Sequence, residues 1–291
     1  MTGDKSMLLR AAPFLFILGW ASGFPVTRLG LEFAEPFTIL WMRSVFVVAA
    51  VGAYALAVRV PWPGGRELFH IAVVGVTLQC LYLGSMFMAL DGGVSQGVAA
   101  LIAGMQPLLT AAVVGVALGE RVTPRQWAGF LLGFLGLAIV VSERIGGGGV
   151  GTTMGFVFAG LTPIFITAAS LYQKKFCANS DLRIVMIVQQ AAAGICNFGI
   201  AMVFESGEVV WGGGMAFVML WLVVVLTLGA NNLLFLMLRH GAASRVSSLF
   251  YLTPPTAVLL GWVTYGETMG LIALTGFAVA VAGVFLVTRT K

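Results

Sequence analysis

The chain has 291 residues, of which 59% are hydrophobic and only 9% charged, whereas a soluble domain carries about 25% charged residues. That composition, with a mean hydropathy of +1.01, excludes a water-soluble domain and points to a polytopic membrane protein. The 16 basic and 11 acidic residues leave a formal charge of +5, but the charges lie in short connections between apolar runs. The excess therefore reads as membrane topology rather than as a nucleic-acid surface.

Apolar runs of spanning length are predicted at residues 11–29, 37–58, 68–89, 95–118, 125–142, 152–173, 182–204, 213–238, 243–265 and 269–288, which makes ten transmembrane helices. Lys5 and Arg10 ahead of the first run imitate a signal peptide, yet the run continues past Phe24 without an Ala-x-Ala site and is kept as a helix. Placing the first residues in the cytoplasm puts all but three of the Lys and Arg residues on that side. The exceptions are Arg28 and Arg144 opposite and Arg43 inside the second run, so both termini are predicted to be cytoplasmic. Cys80, Cys177 and Cys196 are an odd count in or beside apolar runs and are read as packing residues, not a disulfide framework.

The stretch from Gln106 to Val140 recurs 147 residues later, from Thr253 to Val287. Pro107, Gly119, Glu120, Gly129, Phe130 and Gly136 fall on Pro254, Gly266, Glu267, Gly276, Phe277 and Gly283, and two valines match as well. Bulk apolarity does not supply matches at Pro, Gly-Glu and Gly. The longest polar connection, Glu143 to Thr153 with glycines at 146 to 149, divides the chain into halves of five helices, residues 1–145 and 150–291. Five is odd, so the second half enters the membrane from the opposite side. Inverted repeats of this kind give a physical basis for alternating access. The four glycines are not followed by Gly-Lys-Ser or Gly-Lys-Thr, and a phosphate loop is rejected.

Polar residues at helical spacing should face the bundle interior, because exposing them to lipid is costly. The third run offers Gly75, Gln79, Tyr82 and Met86 on one face, the fourth Gln96, Gln106 and Thr110, and the ninth Ser244, Ser247, Ser248 and Tyr251; Asn231 lies deep in the eighth. Trp20 sits between Gly19 and Gly23, about nine residues or 14 Å into the first helix. These faces are predicted to line a wet central cavity; interhelical hydrogen bonding is the competing reading for the Ser, Asn and Gln residues. Pro107 and Pro254 are read as mid-helix kinks, either gating hinges or fixed bends. Arg43 is expected to snorkel to the outer interface or bond helix-end carbonyls in a structural role, and Glu120 and Glu267 to break or cap helices at the membrane surface.

All eleven acids lie at or beyond predicted helix ends, so no midplane carboxylate is available for a coupling ion. The expectation is a neutral cavity and facilitated movement rather than tight ion coupling. His70 and His240 lie at helix ends far apart in sequence, and no metal or other cofactor is expected. An intramembrane enzyme acting on lipid would need paired carboxylates, His-Glu-x-x-His or Gly-x-Ser-x-Gly, and none occurs.

Trp20, Gly23, Phe24, Pro36, Arg43 and the two Gly-Glu pairs at 119–120 and 266–267 resemble the drug/metabolite transporter superfamily, and within it the EamA-type exporters. Ala21 departs from the pattern, where many relatives have Gly after Trp. The resemblance covers nearly the whole chain. It implies an all-α integral membrane protein of ten helices in two inverted five-helix repeats, in a bacterial inner membrane, exporting amino acids, aromatic and other neutral ones, and related metabolites. Cationic compounds such as methyl viologen, and nucleotide sugars, are the alternative cargoes. Trp20, Gln79, Tyr82, Met86, Gln106, Asn231, Ser247, Ser248 and Tyr251 are the candidate substrate contacts. The expected partners are the small-molecule cargo and the lipid bilayer, with no nucleic acid and no obligate protein partner.

Overall fold

The computed structural model describes residues 2–94, 96–142, 151–253, 255–256 and 271–288. Among these residues the regular structure is helical, apart from one antiparallel bridge between Ala34 and Val209. The helices are α1 (Thr2–Ala21), α2 (Gly23–Gly30), α3 (Pro36–Ala57), α4 (Gly65–Asp91), α5 (Gln96–Ala103), α6 (Gln106–Leu118), α7 (Pro124–Ser142), α8 (Thr153–Phe176), α9 (Leu182–Phe204), α10 (Gly213–His240), α11 (Ala243–Ser248) and α12 (Leu271–Thr288), with a 3₁₀ turn at Leu249–Leu252 after α11. Five of them, α3, α4, α8, α9 and α10, are long and apolar enough to cross a membrane; others are apolar but shorter. Large apolar side chains such as Leu56, Val116, Ile195, Phe204 and Leu271 stand exposed on the outside. In water such a surface would aggregate, whereas in hydrocarbon it costs nothing.

Local chemistry sets several helix ends. Pro36 occupies the first turn of α3, where its missing N–H is not needed, and Gly119 closes α6 in the left-handed region (φ 71°). Thr152 and Asp181 cap α8 and α9 by accepting the amides of Gly155 and Arg183. The first predicted run is broken at Ser22, three residues ahead of Pro25, whose ring removes the bond to the carbonyl of residue 21. The fourth run differs more from expectation. Instead of a kink, the chain turns at Gly104–Met105, and Pro107 sits in the first turn of the new helix α6. Pro254 and Glu267 fall outside the described residues.

The 147-residue offset extends beyond the stretch where it was noticed. Shifted by 147, α3 falls on residues 183–204, α4 on 212–238, α5 on 243–250 and α7 on 271–289, within two residues of α9, α10, α11 with its 3₁₀ turn, and α12. Two of these pairs pack directly on each other and run antiparallel. On the α3–α9 seam Trp41 meets Phe198 edge-on at 5.5 Å, Ser44 donates to Gln190 Oε1 at 2.9 Å, and a Cβ on Gly194 would lie 2.9 Å from Ser44. On the α7–α12 seam the backbones nearly touch. A Cβ on Gly136 would lie 2.4 Å from Ala280 N and 2.6 Å from Gly276 O, and one on Gly283 would lie 2.4 Å from Gly133 N and 2.7 Å from Gly129 O. Gly129 with Gly283 and Gly136 with Gly276 are contacts that exchange under the offset, as a local two-fold axis between the helices requires.

The two ends of the bundle are tied differently. At the end carrying Lys174, Lys175 and Arg239, Glu120 accepts from Ala243 N at 3.1 Å and Ser244 Oγ at 3.4 Å and pairs with Lys174 Nζ at 3.0 Å, and Lys174 also donates to Gly241 O. This joins the end of α6 to α8 and to the start of α11. At the opposite end Glu205 accepts from Phe37 N, Thr38 N and Thr38 Oγ1 at 2.7 to 2.8 Å, Glu35 accepts from Ser206, and the Ala34–Val209 bridge lies beside them.

Candidate functional site

Three voids run in series through the bundle. The widest of these three, about 540 Å³ and partly open to solvent, is lined by Trp20, Gly23, Phe24, Thr27, Arg43, Leu78, Gln79, Tyr82, Leu83, Met86, Leu90, Leu226 and Asn231. Trp20, Phe24 and Tyr82 also border a second of about 320 Å³ that reaches Gln106, Ile166 and Phe250. Gln106 and Phe250 in turn border a third of about 190 Å³ that reaches Ser247 and Ala243, the residue whose amide Glu120 holds. The voids shrink toward the basic end, and the last leaves no room for a water molecule.

Side-chain aromatics form the waist. Trp20 lies 5.2 Å from Phe16 and from Phe250, the latter edge-on, and stacks with Tyr82 at 6.4 Å and 19°. Gly19 and Gly23 leave room for α10: a Cβ at either would sit 3.2 to 3.3 Å from Leu226 or Ala230. The backbone of both facing helices is irregular here. α4 widens into a π-helix over Val76–Tyr82 and α10 over Trp221–Asn231, and the offset carries the first onto residues 223–229, inside the second. A π-segment shifts the phase of the residues beyond it and is frequent at functional sites, and these two bring Gln79, Tyr82 and Asn231 to one cavity. Nothing in the hydrophobic pattern announces them.

Of the residues singled out from sequence, Trp20, Gln79, Tyr82, Met86 and Asn231 line the widest void, Gln106 the second and third, and Ser247 the third. Ser248 and Tyr251 do not line these voids. The Ser248 hydroxyl donates to Arg245 O at 2.8 Å, and the Tyr251 ring lies fully buried against Gly133 of α7. The α-helical spacing used to place Tyr251 fails because residues 249–252 wind as a 3₁₀ turn, which advances 120° per residue; Ser248 is still α-helical and is taken up by its own turn of helix.

Arg43 requires the larger correction. It does not snorkel: it is 2% exposed, lines the widest void and donates Nη2–H to Gln79 Oε1 at 2.9 Å. The cavity is consequently not neutral. Around it, Asn197 Nδ2 donates to Gln79 O at 3.4 Å, and Gln189 Nε2 donates to Gln173 Oε1 at 2.9 Å. These amides of α9 escaped the sequence reading, although Gln189, Gln190 and Asn197 recur at intervals of seven and eight, one face of a helix.

At the closed end, Glu120 is the titratable group of interest. Burial on its own pushes its carboxyl up, but the Ala243 amide and Lys174 outweigh it, and the net direction is below the ordinary glutamate range. Among the described residues no cluster of three His, Cys, Asp or Glu has the arrangement to hold a metal.

A model of the EamA-like transporter family matches residues 10–142 and again residues 153–289. The chain is 28% identical over 289 residues to a probable terminal-alkyne amino-acid exporter of Streptantibioticus cattleyicolor, covering 94% of this chain and 91% of that one. It is 24% identical over 284 residues to an uncharacterized inner membrane transporter, YedA, of Escherichia coli (97% and 91% covered), and 22% identical over 281 residues to a probable amino-acid metabolite efflux pump of Salmonella typhimurium (94% and 92% covered). A solved crystal structure superposes with a TM-score of 0.79 at 21% identity, covering 96% of this chain and 97% of that one, which shows a shared fold. With the family model matched twice along its length, the chain belongs to the EamA-like transporter family and is a multi-pass membrane transporter.

Proposed function

We propose that this transporter exports amino acids, aromatic and other neutral ones, and related small metabolites across a bacterial inner membrane. Transport proceeds by alternating access between two inverted five-helix repeats, residues 1–145 and 150–291, with the Lys- and Arg-rich end in the cytoplasm. The observation that carries this reading is the position of the widest void. It lies where α4 and α10, partners under the 147-residue offset, both turn π-helical and face Trp20. A site on the junction of two related halves can open to either side as they exchange conformations. The antiparallel α3–α9 and α7–α12 seams support the inversion, and the printed names of two relatives, an amino-acid exporter and an amino-acid metabolite efflux pump, support the cargo.

The lining suits the cargo. Trp20, Phe24, Tyr82 and Met86 offer apolar and aromatic surface, while Gln79 and Asn231 offer amides to a zwitterion. No carboxylate lines the void among the described residues, which favours facilitated movement over coupling to a proton. The test is counterflow of labelled amino acids in liposomes holding the purified protein, with methyl viologen and a nucleotide sugar as competitors. Phenylalanine and leucine should exchange and be chased by one another, and an imposed proton gradient should leave the rate unchanged at a fixed substrate gradient. Absence of amino-acid counterflow, or competition by the nucleotide sugar alone, would reject the proposal. Impermeant thiol labels reaching Ala34→Cys and Asn179→Cys from the same face would reject the inversion.

A further inference from the structure

Arg43 is the one charged side chain lining the widest void among the described residues, and nothing in its surroundings balances it. It stands seven residues into α3, about 10 Å along the helix from its first residue, at a depth where an uncompensated guanidinium is expensive. Among the described residues its single side-chain partner is the neutral amide of Gln79, its buried Nε has no partner, and no carboxylate lies within ion-pair distance. The neighbouring polar groups are neutral: Ser44 bonds Gln190, and Asn197 donates to the Gln79 carbonyl while its own Oδ1 has no partner among the described residues. A buried cation that lines a cavity and has no counter-ion among the described residues is arranged for an anion that comes and goes.

We propose that Arg43 is the carboxylate subsite of this transporter, with Gln79 as the positioning residue that fixes the guanidinium by holding Nη2. The inference rests on the amino-acid reading of the same cavity and sharpens it. The cargo class is a small acid, zwitterionic or simple, whose single carboxylate pairs with Arg43 while its apolar or aromatic part lies against Trp20, Phe24, Tyr82 and Met86. A simple monoanionic acid leaves the occupied site neutral, and a zwitterion adds one ammonium, which the amide of Asn231 can meet. A dianionic phosphate would carry a second charge for which the lining offers no second cation, and a dication such as methyl viologen meets repulsion.

The test uses counterflow of labelled phenylalanine in liposomes, competed by unlabelled phenylalanine, 3-phenylpropionate, phenylalaninamide and phenyl phosphate. For the wild type, phenylalanine and 3-phenylpropionate should compete at least tenfold better than phenylalaninamide, which keeps the ring and the amine but lacks the carboxylate. In Arg43→Gln, phenylalanine flux should fall at least tenfold and the preference for acid over amide should disappear, while Arg43→Lys should retain the preference at reduced flux. Gln79→Leu should weaken phenylalanine more than phenylalaninamide. Equal competition by acid and amide in the wild type overturns the subsite even if Arg43→Gln fails to fold, and leaves amino-acid transport standing; so does a preference that persists in folded Arg43→Gln, or phenyl phosphate competing better than 3-phenylpropionate. Absence of phenylalanine counterflow in the wild type overturns the amino-acid reading itself.

Discussion

The α7–α12 seam and the cavity between α4 and α10 are pairings of a different kind, although both lie between helices related by the same offset. The first is dry and made of glycines, with backbones so close that no side chain fits between Gly136 and Ala280 or between Gly283 and Gly133. The second is held apart by Trp20 and Tyr82, interrupted by two π-segments, and furnished with Arg43, Gln79 and Asn231. In lipid there is no hydrophobic drive to press helices together, so a static joint comes from close contact of small residues and a working one from polar groups kept wet. The contrast teaches that one chain uses its duplicated helices once as a fastening and once as a passage.

The most severe way to break the contrast is to fill the fastening. Gly136→Leu or Gly283→Leu places a side chain where a Cβ already meets backbone nitrogen at 2.4 Å, and a backbone cannot rotate aside. Overpacking of this kind costs about 1–3 kcal/mol in ordinary cores and more where backbone must shift. Folded protein after detergent extraction should be lost or its melting point strongly lowered. Gly199→Leu on α9, where nothing lies within 4 Å of the added atom, is the matched control and should melt like the wild type.

The passage should respond in flux rather than in stability. Asn231→Ala removes an amide that lines the widest void, and amino-acid counterflow should fall several-fold with a melting shift worth about 1 kcal/mol or less. Trp20→Ala is a poorer probe, because a ring packed on Phe16, Phe250 and Tyr82 is also core, and its removal costs about 3–5 kcal/mol.

The difference between the two pairings also explains what could be read from sequence. Glycines repeated at a fixed offset are visible as letters, so Gly129, Gly136, Gly276 and Gly283 marked the repeat before any coordinates. Trp20, Gln79, Tyr82 and Asn231 were found because a polar or aromatic residue deep in an apolar run has few places to go. Backbone irregularity left no such trace. The turn at Gly104–Met105 and the 3₁₀ turn after Ser248 change helical phase, and each displaced a reading that assumed a uniform period; the π-segments in α4 and α10 change it too, yet leave Gln79, Tyr82, Met86 and Asn231 on the cavity. Arg43 was misread for another reason: a long stem can reach an interface, and sequence does not say that α3 turns this one toward Gln79.

A smaller effect is expected at the closed basic end, where the ties are ionic. Glu120→Gln keeps the size and one acceptor but removes the charge that Lys174 and the Ala243 amide meet. The pair is about one-fifth exposed on both sides, so a cost of about 1–2 kcal/mol at neutral pH is expected, as lowered melting and faster labelling of Ser247→Cys by a cytoplasmic thiol reagent. Because the Glu120 carboxyl is held below the ordinary range near 4.3, its contribution is complete above that range and is lost as pH falls through the lower folded value. The melting gap between wild type and Glu120→Gln should therefore be constant from pH 8 to about pH 5 and close in stronger acid; a gap that widens on acidification would contradict the assignment.

The smallest effect belongs to Tyr251, which helical spacing in the sequence places beside the passage and the structure places on the fastening. Its ring is fully buried against Gly133, close to the line where α7 meets α12, while its hydroxyl is buried with no hydrogen-bond partner among the described residues. A hydroxyl in that position has lost its water and gained nothing, so deleting it relieves a desolvation cost and leaves the ring contacts intact. Tyr251→Phe should melt at the wild-type temperature or higher, by the equivalent of up to about 1 kcal/mol, with unaltered counterflow of phenylalanine. Were the hydroxyl a substrate contact, the same change would leave stability untouched and lower flux. The two measurements on this one variant therefore assign the start of the ninth predicted helix either to the static joint or to the passage.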